Sequence, residues 1–239
     1  VPNASSSGIQ GVNKDGIMVG SYADQKSVNH GFIFANGQIT TVDGPNAVQN
    51  TSGGPNGTEL TAISNSGLVV GDQRTVTPGA AGTYAQAFSF QNQKFTIFNN
   101  VQASNAIPNG VNSAGVVVGV GDLVGCPFIF TPNFKPSPYP NPTTSANGSF
   151  AHFTVPGTSG PTMQGATTQG INKNDQLVGS YAVPNSSPLF FGWMKTGSNY
   201  CSLSVPGAKL TEANDVNDSG LIVGLYQDAA GVQHGFLAN

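Results

Sequence analysis

A twelve-residue phrase constrains this chain more than any other feature. Its fullest form is Gly170-Ile-Asn-Lys-Asn-Asp-Gln-Leu-Val-Gly179-Ser-Tyr181. Aligned on the closing Val-Gly pair, five copies end at Gly20, Gly71, Gly119, Gly179 and Gly224. Their spacings of 51, 48, 60 and 45 residues lie near the period of propeller-type repeats, in which one supersecondary unit buries its apolar faces only against its neighbours. The 239 residues therefore read as a single repeat domain. Its units run over about 8–47, 59–103, 107–158, 167–208 and 212–239, the last together with residues 1–4.

Each unit reads as four short strands separated by turn residues. In the first, Gly8 to Asn13 leads through Lys-Asp-Gly into Ile17 to Tyr22. His30 to Phe34 follows, then Asn36-Gly37 and Gln38 to Val42. Asn-Gly between apolar runs signals a tight hairpin, because both residues tolerate positive φ. No segment holds a helical period, so almost no helix is expected.

Stacking the first strands separates three columns. Val12, Ile63, Val111, Ile171 and Val216 form an apolar column, expected as a buried ring. Before it stand Gly11, Ala62, Gly110, Gly170 and Asp215, small except for the last and facing the other way. One position earlier come Gln10, Thr61, Asn109, Gln169 and Asn214, all polar. The following Asn13, Ser64, Asn112, Asn172 and Asn217 are placed to bond nearby backbone as in Asx turns. Gly16, Gly67, Gly115 and Gly220 close those turns, with Asp175 the one departure.

Four-stranded units of this length pack radially as propeller blades. The expected fold is all-β, a five-bladed β-propeller of four-stranded antiparallel blades. The fifth unit stops after its third strand, and Val1-Pro-Asn-Ala4 matches the strand exit Val205-Pro-Gly-Ala208. The first residues are therefore expected beside the last blade, closing the ring. The strand still missing there would have been trimmed, be disordered, or be donated by a neighbouring molecule. The chain opens in mid-pattern, so a leader or further sequence is expected to precede it.

The pattern Gly-Ile-Asn-x-x-Gly-x-Ile-Val-Gly-x-Tyr, then His-Gly-Phe, then Val-Pro-Gly-Ala, resembles the bacterial extracellular repeats called the HAF family. Units one, four and five carry it well, while two and three lack His-Gly and the full Asn turn. The resemblance implies secretion and a propeller-like array. It brings no established activity.

Charged residues are only 8% of the chain, against about 25% in typical soluble proteins. Amides, hydroxyls and glycine must cover the surface, which suits an extracellular, secreted or cell-surface protein. A net charge of −3 without a basic run argues against nucleic acid, whose binding rests on Lys and Arg. No apolar stretch reaches the roughly 20 residues of a membrane span. Cys126 and Cys201 would permit one disulfide, but they open strands expected to start at opposite blade edges.

Each candidate site residue also has a simpler role open to it. Glu59 and Glu212 share a column and Asp215 lies close by. At the mouth of a central channel they would offer paired carboxylates for glycoside hydrolysis, or simply be solvated rim residues. Tyr22, Tyr181 and Tyr226 align as contacts for surface glycans on three blades. His30 and His234 are repeat positions, better suited to bonding a nearby loop than to holding zinc, which needs three or four converging ligands. Asp24, Asp72, Asp122 and Asp228 follow the second strands and read as hydrated turn residues. The Pro-rich insertion from Thr131 to Gly148 carries Phe134 and Tyr139 as partner contacts, and Val1 and Asn239 are the contacts for self-assembly. No catalytic set, metal site or cofactor is expected. The leading expectation is a non-enzymatic structural or adhesive module, with a filament built by strand donation as its sharper form. A carbohydrate-binding propeller and a glycosidase-like enzyme are the alternatives.

Overall fold

The computed structural model describes residues 1–49, 56–76, 83–98, 105–121, 126–132, 143–145, 148–153, 155, 166–183 and 190–239. Among them there is no helix. The described strands form four sheets, one for each of the first three copies of the phrase and one shared by the last two. Unit I holds β1 (Ser6–Val12), β2 (Met18–Ala23), β3 (Asn29–Ala35) and β4 (Gln38–Val42), hydrogen-bonded in sequence order. Unit II repeats this with β5 (Thr58–Ile63), β6 (Val69–Val76), β7 (Thr83–Gln91) and β8 (Lys94–Ile97). Unit III holds β9 (Ala106–Val111), β10 (Val117–Gly121), β11 (Cys126–Pro132), β12 (Thr143–Ser145) and β13 (Gly148–His152). Its order is β12-β13-β11-β10-β9, so a piece of the Pro-rich insertion adds a fifth strand at the outer edge. Phe134 and Tyr139, on the same insertion, lie outside the described residues.

Unit IV consists of β14 (Ala166–Ile171), β15 (Leu177–Ala182), β16 (Phe190–Thr196) and β17 (Asn199–Leu203). Unit V consists of β18 (Leu210–Val216), β19 (Ile222–Gln227) and β20 (Gln233–Ala238). A single parallel bridge, Phe190 to Leu210, links units IV and V.

The invariant closing glycine has a steric cause. In all five units the first strand carries a β-bulge opposite the Val-Gly pair, at Gln10, Thr61, Asn109, Gln169 and Asn214. The bulge pushes a first-strand carbonyl onto the second strand. A Cβ at Gly20, Gly71, Gly119, Gly179 or Gly224 would stand 1.9–2.1 Å from that oxygen, a separation no side chain tolerates. Such a bulge also re-aims its extra residue, which is why the polar column breaks the alternation of the strand.

The turn after each first strand forms as its residues dictate. Asn13 Oδ1 accepts from the backbone N–H of Asp15 and Ile17, and Asn112, Asn172 and Asn217 repeat that pair of bonds. Ser64 Oγ accepts one backbone bond, from Leu68 N–H, and pairs with Ser66 Oγ. The closing position has positive φ in every unit, from 57° at Asp175 to 89° at Gly220, so Asp175 is strained where the others use glycine.

Four apolar clusters lie between successive sheets. Val19 and Ile33 of unit I pack on Leu60, Val69 and Phe88 of unit II. Val70 and Phe98 meet Val117, Phe128 and Phe130. Val118, Ile129 and Phe153 meet Leu177 and Trp193. Val178 and Met194 meet Ala213, Val216 and Ile222. Each fully buried side chain of this size contributes about 1.5–3 kcal/mol. The core is thus four seams and not one interior. The small column serves the same seams. A Cβ on Gly110 would come 3.3 Å from Gly170 Cα, and one on Gly170 would come 2.8 Å from Asp215 Cα.

The two ends of the array differ from the expectation. Inner strands pack in the order β1, β5, β9, β14, β18, and β18 does not pack comparably on β1. Val12, expected in a buried ring, is 59% exposed, whereas Val111, Ile171 and Val216 are buried. Among the described residues it belongs to none of the apolar clusters. Residues 1–5 are hydrogen-bonded to unit I. The backbone N–H of Ala4 donates to Val1 C=O, that of Ser5 to Ala23 C=O, and Gln25 Nε2 to Asn3 C=O. These bonds fasten the N-terminal residues to unit I, and among the described residues β20 pairs only with β19.

The axial cavity as candidate functional site

The five first strands converge on a cavity of about 670 Å³ lined by residues of every unit. Its walls are the bulge residues Gln10, Thr61, Asn109, Gln169 and Asn214, with the turn residues that follow. Thr61 donates its hydroxyl to Val70 C=O at 3.3 Å, and Asn109 Nδ2 donates to Thr168 C=O at 2.9 Å. Gln10, Gln169 and Asn214 make no side-chain hydrogen bond among the described residues, so their amides face the cavity free.

Turn residues tie the units together around this axis. Lys14 N–H donates to Asn65 Oδ1 at 2.9 Å, and Lys173 N–H to Asp218 Oδ1 at 3.0 Å. Asn112 Nδ2 reaches Asp175 Oδ1 and Asn172 C=O, and Asn172 Nδ2 reaches Asn217 C=O. Asn65 Nδ2 donates to Asp218 Oδ2 at 3.3 Å, which joins units II and V directly at the hub. The wall carries both signs of charge, from Lys14, Lys173, Asp215 and Asp218. Such a lining suits a neutral or zwitterionic polar molecule better than a strongly charged one.

The structure separates the residues that the repeat alignment brought together. Glu59 and Glu212 do not line the cavity. Glu59 stands opposite Asp72 across β5 and β6 and accepts from Asn29 Nδ2 at 2.9 Å, while Glu212 stands opposite Leu225. Only Asp215 of the three acids reaches the cavity. Its Oδ1 accepts from Val216 N–H at 2.8 Å. Atoms crowding the carboxylate raise its pKa, although the residue as a whole remains exposed.

The aligned tyrosines are packing elements. Tyr22 stacks on His30 at 5.0 Å, Tyr181 on Phe191 at 5.5 Å, and Tyr226 on His234 at 5.0 Å. In each case the ring bridges the second and third strands of its own unit. His30 Nδ1 lies 3.0 Å from both carboxylate oxygens of Asp43, and His234 Nε2 lies 3.0 Å from Asp228 Oδ2. Asp24 and Asp228 do act as turn residues. A backbone N–H bond from Val28 lowers the pKa of Asp24, and the His234 bond, with Val232 N–H, lowers that of Asp228.

Asp72 corrects the reading of it as a hydrated turn residue. It lies within β6 and is only 2% exposed. Burial pushes its pKa up to about 7, with Arg74 Nε at 3.6 Å opposing and the Glu59 carboxylate adding to the rise. A buried carboxyl of this kind is an acid-base candidate, but it does not line the cavity. Its sequence signal is an acid directly after the closing glycine, where the strand continues to Val76. Asp122 lies outside the described residues.

No group of three or more His, Cys, Asp or Glu side chains is placed to hold a metal among the described residues. Cys201, an exposed free thiol, sits mid-strand in β17 and not at its start. The side chain of Cys126 lies outside the described part. Val1 lines a smaller hollow on unit I, and Asn239 is exposed beyond β20. Among the described residues no helix is long and apolar enough to cross a membrane. In comparisons with known proteins no family model matches the chain, and no curated protein matches it.

Proposed function

We propose that this chain is a β-propeller-type array acting as a secreted, non-enzymatic structural or adhesive module that assembles with copies of itself. The observation that carries this reading is the exposure of both ends of the array. Ile9 and Val12 on the first sheet, and Val223, Val232 and Leu237 on the last, are large apolar side chains left in water. Among the described residues the outer edge of β20 pairs with no strand, and such an edge invites pairing by another strand. The low charge and the resemblance to extracellular HAF repeats support a place outside the cell. Sedimentation velocity and electron microscopy over a wide concentration range test the proposal. Oligomers or filaments that grow with concentration are expected, and monomers throughout would contradict it.

A second reading rests on the axial cavity. Free amides from three units around about 670 Å³ could hydrogen-bond the hydroxyls of a glycan. Binding on a glycan array that is lost in Gln169→Ala/Asn214→Ala would favour it, and a blank array would remove it.

A further inference from the structure

We infer that Asn65 and Asp218 form a clasp that holds unit V against unit II across the axis, and that this clasp sets the width of the axial cavity. Such a clasp is independent of self-assembly and of glycan binding.

The two residues share one position of the repeat, directly after the Asx-turn residue. That column reads Lys14, Asn65, Ser113, Lys173 and Asp218, so unit II supplies its one amide and unit V its one carboxylate. All five residues line the cavity. Asn65 Nδ2 donates to Asp218 Oδ2 at 3.3 Å, across 153 positions of sequence. The remaining hub bonds among the described residues join units that are consecutive in the chain. They run from Lys14 to Asn65, from Asn112 to Asp175 and from Lys173 to Asp218, with others beside them.

Packing leaves this contact to act alone. Among the described residues no apolar cluster contains side chains of both unit II and unit V. Unit V rests on unit IV, through Ala213, Val216 and Ile222, the bridge from Phe190 to Leu210, and the Lys173 bond. Unit V can therefore turn about the seam it shares with unit IV, and the clasp opposes that turn. Asn214 and Asp215 line the cavity on unit V, so the turn carries one wall away from Thr61, Asn109 and Gln169.

A backbone donor orients each half of the clasp. Lys14 N–H holds Asn65 Oδ1 at 2.9 Å, and Lys173 N–H holds Asp218 Oδ1 at 3.0 Å. Asn65 is left to present Nδ2, which only donates, and the ionised Asp218 to present Oδ2, which only accepts. One charge-assisted bond of this kind biases a local opening without locking it.

One exchange preserves the pattern. Asn65→Asp/Asp218→Asn keeps both backbone donors satisfied and sets an acceptor on unit II against a donor on unit V. Asn65→Asp alone opposes two carboxylates, and Asp218→Asn alone opposes two amide N–H₂ groups. Nitroxide labels are attached through Lys94→Cys in unit II and Ala229→Cys in unit V, both exposed positions, in a Cys126→Ser/Cys201→Ser background. Pulsed electron spin resonance on dilute protein reads their separation, with folding checked by circular dichroism. The clasped parent is expected to give one narrow distance distribution. Either single exchange should raise the fraction at longer distance at least about tenfold, and the double exchange should restore the parent distribution. Ser113→Ala, in the same column but outside the clasp, should leave it unchanged. Single variants as narrow as the parent would overturn the clasp. So would a double variant as broad as the singles, or an equal broadening in Ser113→Ala.

Discussion

The four internal seams and the two ends of the array are built from the same columns of residues, yet several of those columns are sealed in the seams and exposed at the ends. Between sheets, the valine before the closing glycine is sealed, as at Val70, Val118 and Val178; in the last sheet the same valine, Val223, is in water. The first strands show the converse, with Leu60 sealed and Ile9 exposed. Residue type alone does not decide burial here. A repeat unit presents two adhesive faces, and whether a face becomes core depends on the presence of the next unit.

That contrast can be broken at its strongest point. Trp193→Ala empties the seam between units III and IV and is expected to cost about 3–5 kcal/mol. Leu237→Ala, on the open face, is expected to change monomer stability by less than about 0.5 kcal/mol. Denaturant titration of dilute protein compares them, and similar costs would show that the last sheet is not open. Exchanging the small column sharpens the point. Gly110→Asp imposes on an internal seam the residue found at the end, and overpacking there should cost about 1–3 kcal/mol. Asp215→Gly should leave the monomer's stability nearly unchanged.

Buried and exposed acids differ in the same way. Asp72 has a folded pKa of about 7, above its ordinary 3.8. The native state therefore holds the proton that the unfolded state has lost between those values, and stability falls as pH rises through this window. The slope is at most about 1.4 kcal/mol per pH unit. Asp72→Asn should flatten it between about pH 4 and 7, and an unchanged slope would mean that Asp72 is hydrated. The turns give the narrowest contrast. Asn112, buried at the hub, bonds two backbone N–H groups and two acceptors in unit IV, whereas Asn217 keeps only its own turn. Asn112→Ala should cost about 1–2 kcal/mol and Asn217→Ala about 0.5 to 1 kcal/mol. Equal costs would show that the bonds between units contribute nothing.

Much of the fold could be read from the repeat. The strand spans of unit I, the Asx turns at Asn13, Asn112, Asn172 and Asn217, and the crowding behind Gly110 and Gly170 all follow from local chemistry. What the alignment obscured has two physical causes. The bulge at Gln10 and its four equivalents inserts a residue and resets the alternation. Counting back from Val216 or Ile63 therefore puts Glu212 and Glu59 at the cavity, where neither lies. The ends of an array also look like its middle in sequence. Nothing in Val12 itself distinguishes it from Val111, so its exposure had to be seen in space. The candidate site was legible only as a polar column, and its convergence on one axis required the packed sheets.

The central claim, that the first and last sheets keep their seam faces open in the monomer, is tested most directly by thiol labelling. In a Cys126→Ser/Cys201→Ser background, single cysteines at Ile9, Leu237, Leu60 and Ile129 are exposed to a maleimide in dilute native protein. The account predicts rapid modification at positions 9 and 237, protection at 60 and 129, and protection appearing at 9 and 237 as concentration rises. Protection at all four positions in the dilute monomer would mean that the ring closes on itself, and would contradict it.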